Sequence, residues 1–207
     1  MQGMYVYLVD ATGYAPYHMR VVDLSDPSNP MLIGETVLPG VPAEVAVVGN
    51  YAYVAASDML IVVDVSLPSS PTVVASLPVT AQIVAASVGY VYIDWPSNYG
   101  GIQVVDVSTP TAPTIVGRRQ ILSQYNRWVA QGGMVYGVTA GYSGGSFHAI
   151  DVSTPTAPSF AGGLDIPGNA TGVAVHGDYA YVAGPTAGLL VIDVSDPHHP
   201  VIVGSVQ

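Results

Sequence analysis

Gly188-Leu-Leu-Val-Ile-Asp-Val-Ser-Asp-Pro-His-His-Pro200 is the stretch whose recurrence decides the fold. Altered versions of it run from Val21 to Pro30, Met59 to Pro71, Ile102 to Pro113 and Phe147 to Pro158. Each is an apolar run of β-formers closed by an aspartate, then Val or Leu, a Ser, and two prolines three residues apart. The aspartates are Asp23, Asp64, Asp106, Asp151 and Asp193, spaced by 41, 42, 45 and 42 residues. A nearly fixed period of this length, filled with strand formers, marks a stacked or radial repeat.

The fifth copy shows the unit most cleanly. Asn169 to His176 reads as a strand a, Gly177-Asp178 as a tight turn, and Tyr179 to Ala183 as strand b. Leu189 to Val194 is strand c, and Val201 to Val206 is strand d after the proline-bounded turn. Four short strands joined by short loops make an antiparallel meander. The strands are apolar almost throughout, which fits sheets covered on both faces. A radial β-propeller provides that cover, with four strands per blade. A solenoid is the alternative, but its parallel strands have no use for the tight a–b turn. The expectation is an all-β, five-bladed β-propeller forming one domain over 1–207. Its copies fall at approximately 1–40, 41–80, 81–122, 123–168 and 169–207. Copy one begins directly at strand b, Tyr5 to Leu8, so its blade lacks one strand.

Leu60-Ile-Val-Val-Asp64 and Leu190-Val-Ile-Asp193 each follow a Tyr-Ala-Tyr-Val run and precede Val-Ser-x-Pro. These segments resemble the LVIVD repeat family, and the resemblance extends over five copies. It implies a propeller-like fold and a place among bacterial and archaeal surface or secreted proteins. The family brings no shared catalytic motif, so no residue role follows from it. Copies three and four depart most, with Asp94-Trp-Pro-Ser-Asn-Tyr-Gly and Tyr142-Ser-Gly-Gly inserted between strands b and c.

Composition narrows the function. Charged residues are 9% of the chain, against the roughly 25% usual for soluble domains. Lysine is absent, the net charge is -10, and the four cations are Arg20, Arg118, Arg119 and Arg127. That balance argues against nucleic acid and anionic membranes as partners. Without cysteine there is no disulfide, thiolate metal site or thiol nucleophile. No apolar run approaches the roughly 20 residues of a membrane helix. Low charge with abundant Tyr, Thr, Ser and Gly points to an extracellular or cell-surface protein. A leader is expected to precede the chain as written.

Three sets of residues are candidates for a role. The repeated Asp23, Asp64, Asp106, Asp151 and Asp193 are expected to accept backbone N–H bonds in the turns that follow them. A five-fold carboxylate ring is the weaker reading, because no second carboxylate recurs beside them to complete a cation site. The histidines occupy different repeat positions and do not assemble a zinc site. No metal or cofactor is expected. The paired strand-b tyrosines are expected to pack between blades.

Loop length is the second signal. From the second strand-b Tyr (Met134-Val-Tyr136 in copy four) to the strand-c Asp the gap is 11 and 12 in copies two and five. It is 16, 14 and 15 in copies one, three and four. The excess carries aromatic residues, and binding residues favour variable loops on a constant scaffold. A candidate loop face therefore comprises Tyr14, Tyr17, Trp95, Tyr99 and Tyr142, with Glu44, Arg127 and Trp128 at the starts of a strands. The third candidate is the edge Tyr5, Val6, Tyr7 and Leu8, which lacks its neighbouring strand and could accept one from another chain.

The favoured function is a non-enzymatic extracellular or cell-surface module that self-assembles by completing that first blade. A homo-oligomer or polymer is the expected partner state, with a surface protein as a further partner. The alternative is a carbohydrate-binding or glycan-hydrolysing propeller using the loop face. Hydrolysis needs two carboxylates, and only Glu44, Asp94 and Asp10 are placed to serve.

Overall fold

A computed structural model describes residues 4–11, 15–95, 100–121, 123–139 and 144–206. Among them are nineteen β-strands and no helix. They make five antiparallel sheets whose strands follow chain order from edge to edge. The first holds β1 (Tyr5–Asp10), β2 (Tyr17–Asp23) and β3 (Met31–Leu38). The second holds β4 (Pro42–Val48), β5 (Tyr51–Ala56), β6 (Met59–Asp64) and β7 (Thr72–Pro78). The third holds β8 (Val84–Ser87), β9 (Tyr90–Asp94), β10 (Gly101–Asp106) and β11 (Thr114–Gln120). The fourth holds β12 (Tyr125–Gln131), β13 (Met134–Thr139), β14 (Gly145–Asp151) and β15 (Ser159–Ile166). The fifth holds β16 (Gly172–His176), β17 (Tyr179–Gly184), β18 (Gly188–Asp193) and β19 (Val201–Val206).

Some strand limits depart from the sequence reading for local reasons. Strand β2 starts at Tyr17, three residues before the expected Arg20, because β1 extends to Asp10 and pairs it with His18. Tyr17 is thus a strand residue and not a loop residue. Strand β8 starts at Val84 and not at Gln82, since the Gln82 and Ile83 amides donate to a carboxylate.

The chain forms two compact units. One comprises Met1–Asp94 and Val105–Ile115, the other Trp95–Val104 and Val116–Gln207. The division passes through the third sheet. In the first unit Tyr7, Met19 and Val21 pack with Ala52, Val54, Ile61 and Val63 of the second sheet. The other face of that sheet, Tyr53, Ala55, Leu60 and Val62, packs with Val84, Val91, Ile93 and Val105. In the second unit Tyr136, Val138, Phe147 and Ala149 pack with Ala180, Val182, Leu190 and Ile192. A sheet with partners on both faces needs apolar residues at successive positions, which is why β5 and β6 do not alternate. Each fully buried Val, Leu or Ile contributes about 1.5–3 kcal/mol.

The facing is held constant by register. Tyr5, Tyr51, Met134 and Tyr179 each pair with the aspartate of the following strand. A β-bulge then recurs in the last strand, leaving Ile33, Val74, Ala161 or Val203 unpaired just before Gly34, Ala75, Gly162 or Gly204. Those small residues allow close approach by the turn of the next copy. A Cβ on Gly34 would collide with the Pro68 carbonyl, and one on Gly117 with the Pro155 carbonyl. At Gly162 it would lie 2.5 Å from the His198 oxygen.

Candidate functional site

The repeated aspartates close local turns. Oδ1 accepts the N–H of the Ser two residues on at 2.7 Å for Asp23, 2.8 Å for Asp64, Asp106 and Asp151, and 2.9 Å for Asp193. The residue after each aspartate donates its N–H to the opposite turn, as Val65 does to Asn50 and Val194 to Asp178. The two turns at that end of each sheet are thereby tied together. The serine hydroxyl and then its N–H hold the Asp64, Asp106, Asp151 and Asp193 carboxyls below the usual range. Among the described residues no group of three His, Asp or Glu side chains is placed to hold a metal ion.

At the other end of the first unit, carboxylates proposed for chemistry are bound to the chain itself. Asp94 Oδ1 accepts the Gln82 and Ile83 amides at 2.6 and 2.8 Å. Glu44 Oε2 accepts the next amide, Val84, at 2.9 Å. Three successive N–H groups entering β8 therefore find their acceptors in two carboxylates. Asp10 is also engaged, 2.9 Å from an Arg20 guanidinium nitrogen, with Glu35 at 3.5 Å on the same group. Tyr17 is half-buried and packs on the first unit's core.

The second unit holds the other described members of the loop face. Arg118 lies 5.8 Å from the Trp95 ring centroid and donates from Nε to Gln103 at 3.0 Å. Arg127 is exposed on β12. Trp128 is buried, edge-on to Tyr125 at 5.4 Å, and its Nε1 is a buried donor without an acceptor. Its ring fills the space above Gly137, where a Cβ would meet both aromatic rings. Tyr14, Tyr99 and Tyr142 lie outside the described residues.

The sequence reading missed a cluster around Trp128. The Tyr125 hydroxyl is 2.9 Å from His148 Nδ1, and His148 stands edge-on to Phe160. Burial raises the Tyr125 phenol and lowers the His148 imidazole, so the neutral ring accepts from the hydroxyl. Three aromatic side chains from three strands come together here, and no sequence spacing announces it.

The strand-b tyrosines are not equivalent. Tyr53, Tyr92 and Tyr136 are 4%, 3% and 4% exposed, whereas Tyr181 in the last copy is 38% exposed. The expected packing between copies holds for the first three and not for Tyr181. Tyr5 to Leu8 lie in β1, the edge strand of the three-stranded sheet.

Such an array of repeated antiparallel sheets, with an aspartate turn in each, defines a β-repeat protein. The chain belongs to the LVIVD repeat family, whose model matches residues 1–36, 39–79, 80–120 and 167–207. Copy four, with Phe147-His-Ala-Ile-Asp151, falls outside these matches yet forms the same four-stranded sheet. Comparison with curated proteins finds no match. Among solved structures, a functionally unknown protein from Desulfotomaculum acetoxidans DSM 771 is similar, with a TM-score of 0.80 at 10% identity. The likeness takes in 99% of this chain and 66% of that one, and it is a likeness of fold.

Proposed function

We propose that the chain is a non-enzymatic interaction module of the extracellular space or cell surface. In this reading its sheets are consecutive blades of a five-bladed β-propeller, and it assembles through the first blade. The observation that carries it is the position of β1. It is the edge of a three-stranded sheet where every other copy has a fourth strand. An edge strand offers N–H and C=O groups to a further strand, which main-chain bonding alone can hold.

The internal engagement of Glu44, Asp94 and Asp10 supports the non-enzymatic reading over glycan hydrolysis. A general acid and its partner need oxygens turned to substrate. The burial of Trp128 likewise removes one aromatic platform from a sugar-binding face.

The test appends a copy of Asn169 to His176 after Gln207 through a short flexible linker. The parent chain is expected to associate in sedimentation velocity, and the self-complemented chain to run as a monomer. Association that persists unchanged in the self-complemented chain overturns the strand-edge reading.

A further inference from the structure

Within each unit, successive copies stack by one repeated geometry. The forward face of a copy, formed in the second sheet by Tyr53, Ala55, Leu60 and Val62, meets the backward face of the next. A small residue in the last strand receives the next copy's turn, as Gly34 receives Pro68 and Gly162 receives Pro197 and His198.

The fifth sheet has the forward half of this interface without an occupant. Its equivalent positions are Tyr181, Ala183, Leu189 and Val191. Leu189 is 44% exposed where Leu60 is fully buried. None of the four is charged. Gly204 occupies the small-residue position, yet a Cβ there would meet only Val191 of its own sheet, at 3.7 Å. The first sheet has the backward half in the same state. Leu8 is 50% exposed where its counterpart Val54 is fully buried, and Val6 and Val22 beside it are partly exposed. The turn at Pro27 and Ser28 corresponds in register to Pro68 and Ser69, counted from Asp23 and Asp64.

We propose that the forward face of the fifth sheet docks a second copy of this chain, which presents its first sheet and seats its Pro27–Ser28 turn against Gly204. The chain itself carries both halves of the interface, and it already uses that interface between copies one and two. Arg20 does not oppose docking. Its position is Ile61 in copy two but Gln103 and His148 in copies three and four. There the polar group is satisfied within its own copy, Gln103 by Arg118 and His148 by Tyr125. Arg20 has Asp10 and Glu35 in the same way. A contact between two different faces is heterologous, so it propagates into a filament or closes into a ring. With the strand-edge reading it shares only the premise that the chain self-associates.

The absence of cysteine makes the test direct. Ser28→Cys and Gly204→Cys chains are prepared separately, mixed and exposed to a mild oxidant. A disulfide-linked dimer is expected from the mixture and from neither variant alone. No linked dimer in the mixture overturns the proposal. So does a doubly substituted chain that links only within itself at every dilution. Gly204→Arg and Leu189→Glu are expected to weaken association at least tenfold in sedimentation velocity while leaving the thermal midpoint in place. If Gly204→Arg associates like the parent while the self-complemented chain is monomeric, the edge reading stands and this one falls. The reverse pattern leaves this one standing and removes the edge. A parent chain that stays monomeric at high concentration overturns both and leaves the exposed tyrosines to a different partner, such as a glycan.

Discussion

At the residue scale, the repeated aspartate is a folding device set at the same point in every copy. Its bond to the serine amide is exposed, so removing it costs a single hydrogen bond and not a buried orphan. Asp64→Ala is expected to lower stability by about 1 kcal/mol, read as a shift in denaturant midpoint. Calcium or EDTA should leave that midpoint where it was. Acid acts on the same groups with a definite sign. The folded carboxyls of Asp64, Asp106 and Asp151 titrate below their unfolded value near 3.8. Their contribution is therefore present above pH 3.8 and lost as pH falls through the lower folded values. His148 acts earlier. Burial lowers its folded pKa below 6.5, so stability begins to fall as pH drops below 6.5, where the unfolded imidazole takes up a proton first. His148→Phe is expected to flatten the first decline and leave the second. A melting series from pH 8 to about 2 checks both declines against these ordinary carboxyl and imidazole values.

At the element scale, two features fix how strands begin and how copies approach one another. Strand β8 begins where the side chains of Asp94 and Glu44 stop supplying acceptors. Asp94→Ala orphans two amides at once and is expected to cost about 1–3 kcal/mol, with the loss read by chemical denaturation. An Asp94→Asn variant keeps an oxygen acceptor and should recover part of it. The bulge and the small residue after it act on copy spacing. Gly162→Ala forces a methyl against the carbonyls of Pro197 and His198, and about 1–3 kcal/mol is expected to be lost. Gly204→Ala meets nothing but Val191 and is expected to change stability by less than about 0.5 kcal/mol. The same substitution at two repeat-equivalent positions thus reports which of them has a neighbour.

At the scale of the whole molecule, the compact units divide inside the third sheet. The sequence reading of one domain over 1–207 is kept as a proposal, because a repeat array transmits stability through each copy-to-copy interface. One cooperative thermal transition is expected, with the same midpoint by far-ultraviolet circular dichroism and by tyrosine fluorescence. Two separated transitions, matching the two units, would count against it. The circular dichroism spectrum itself is expected to show β-sheet without appreciable helix.

The sequence alone determined the repeat, its family and the strand order within each copy. Turn chemistry and apolar runs are local properties, and five recurrences of Asp-x-Ser left little room for another reading. The aspartate turns were legible for the same reason, since acceptor and donor are two residues apart. The loop face was not legible in this way. Whether Glu44 is open or bound depends on the Val84 amide forty residues away, and Trp128 became a core residue because Gly137 left room for its ring. Only the tertiary structure decided that Tyr53 is covered and Tyr181 is not, although both stand in the same Tyr-Ala-Tyr-Val run. Burial belongs to what stacks on a face, and a repeating sequence writes each face alike whether or not another copy follows.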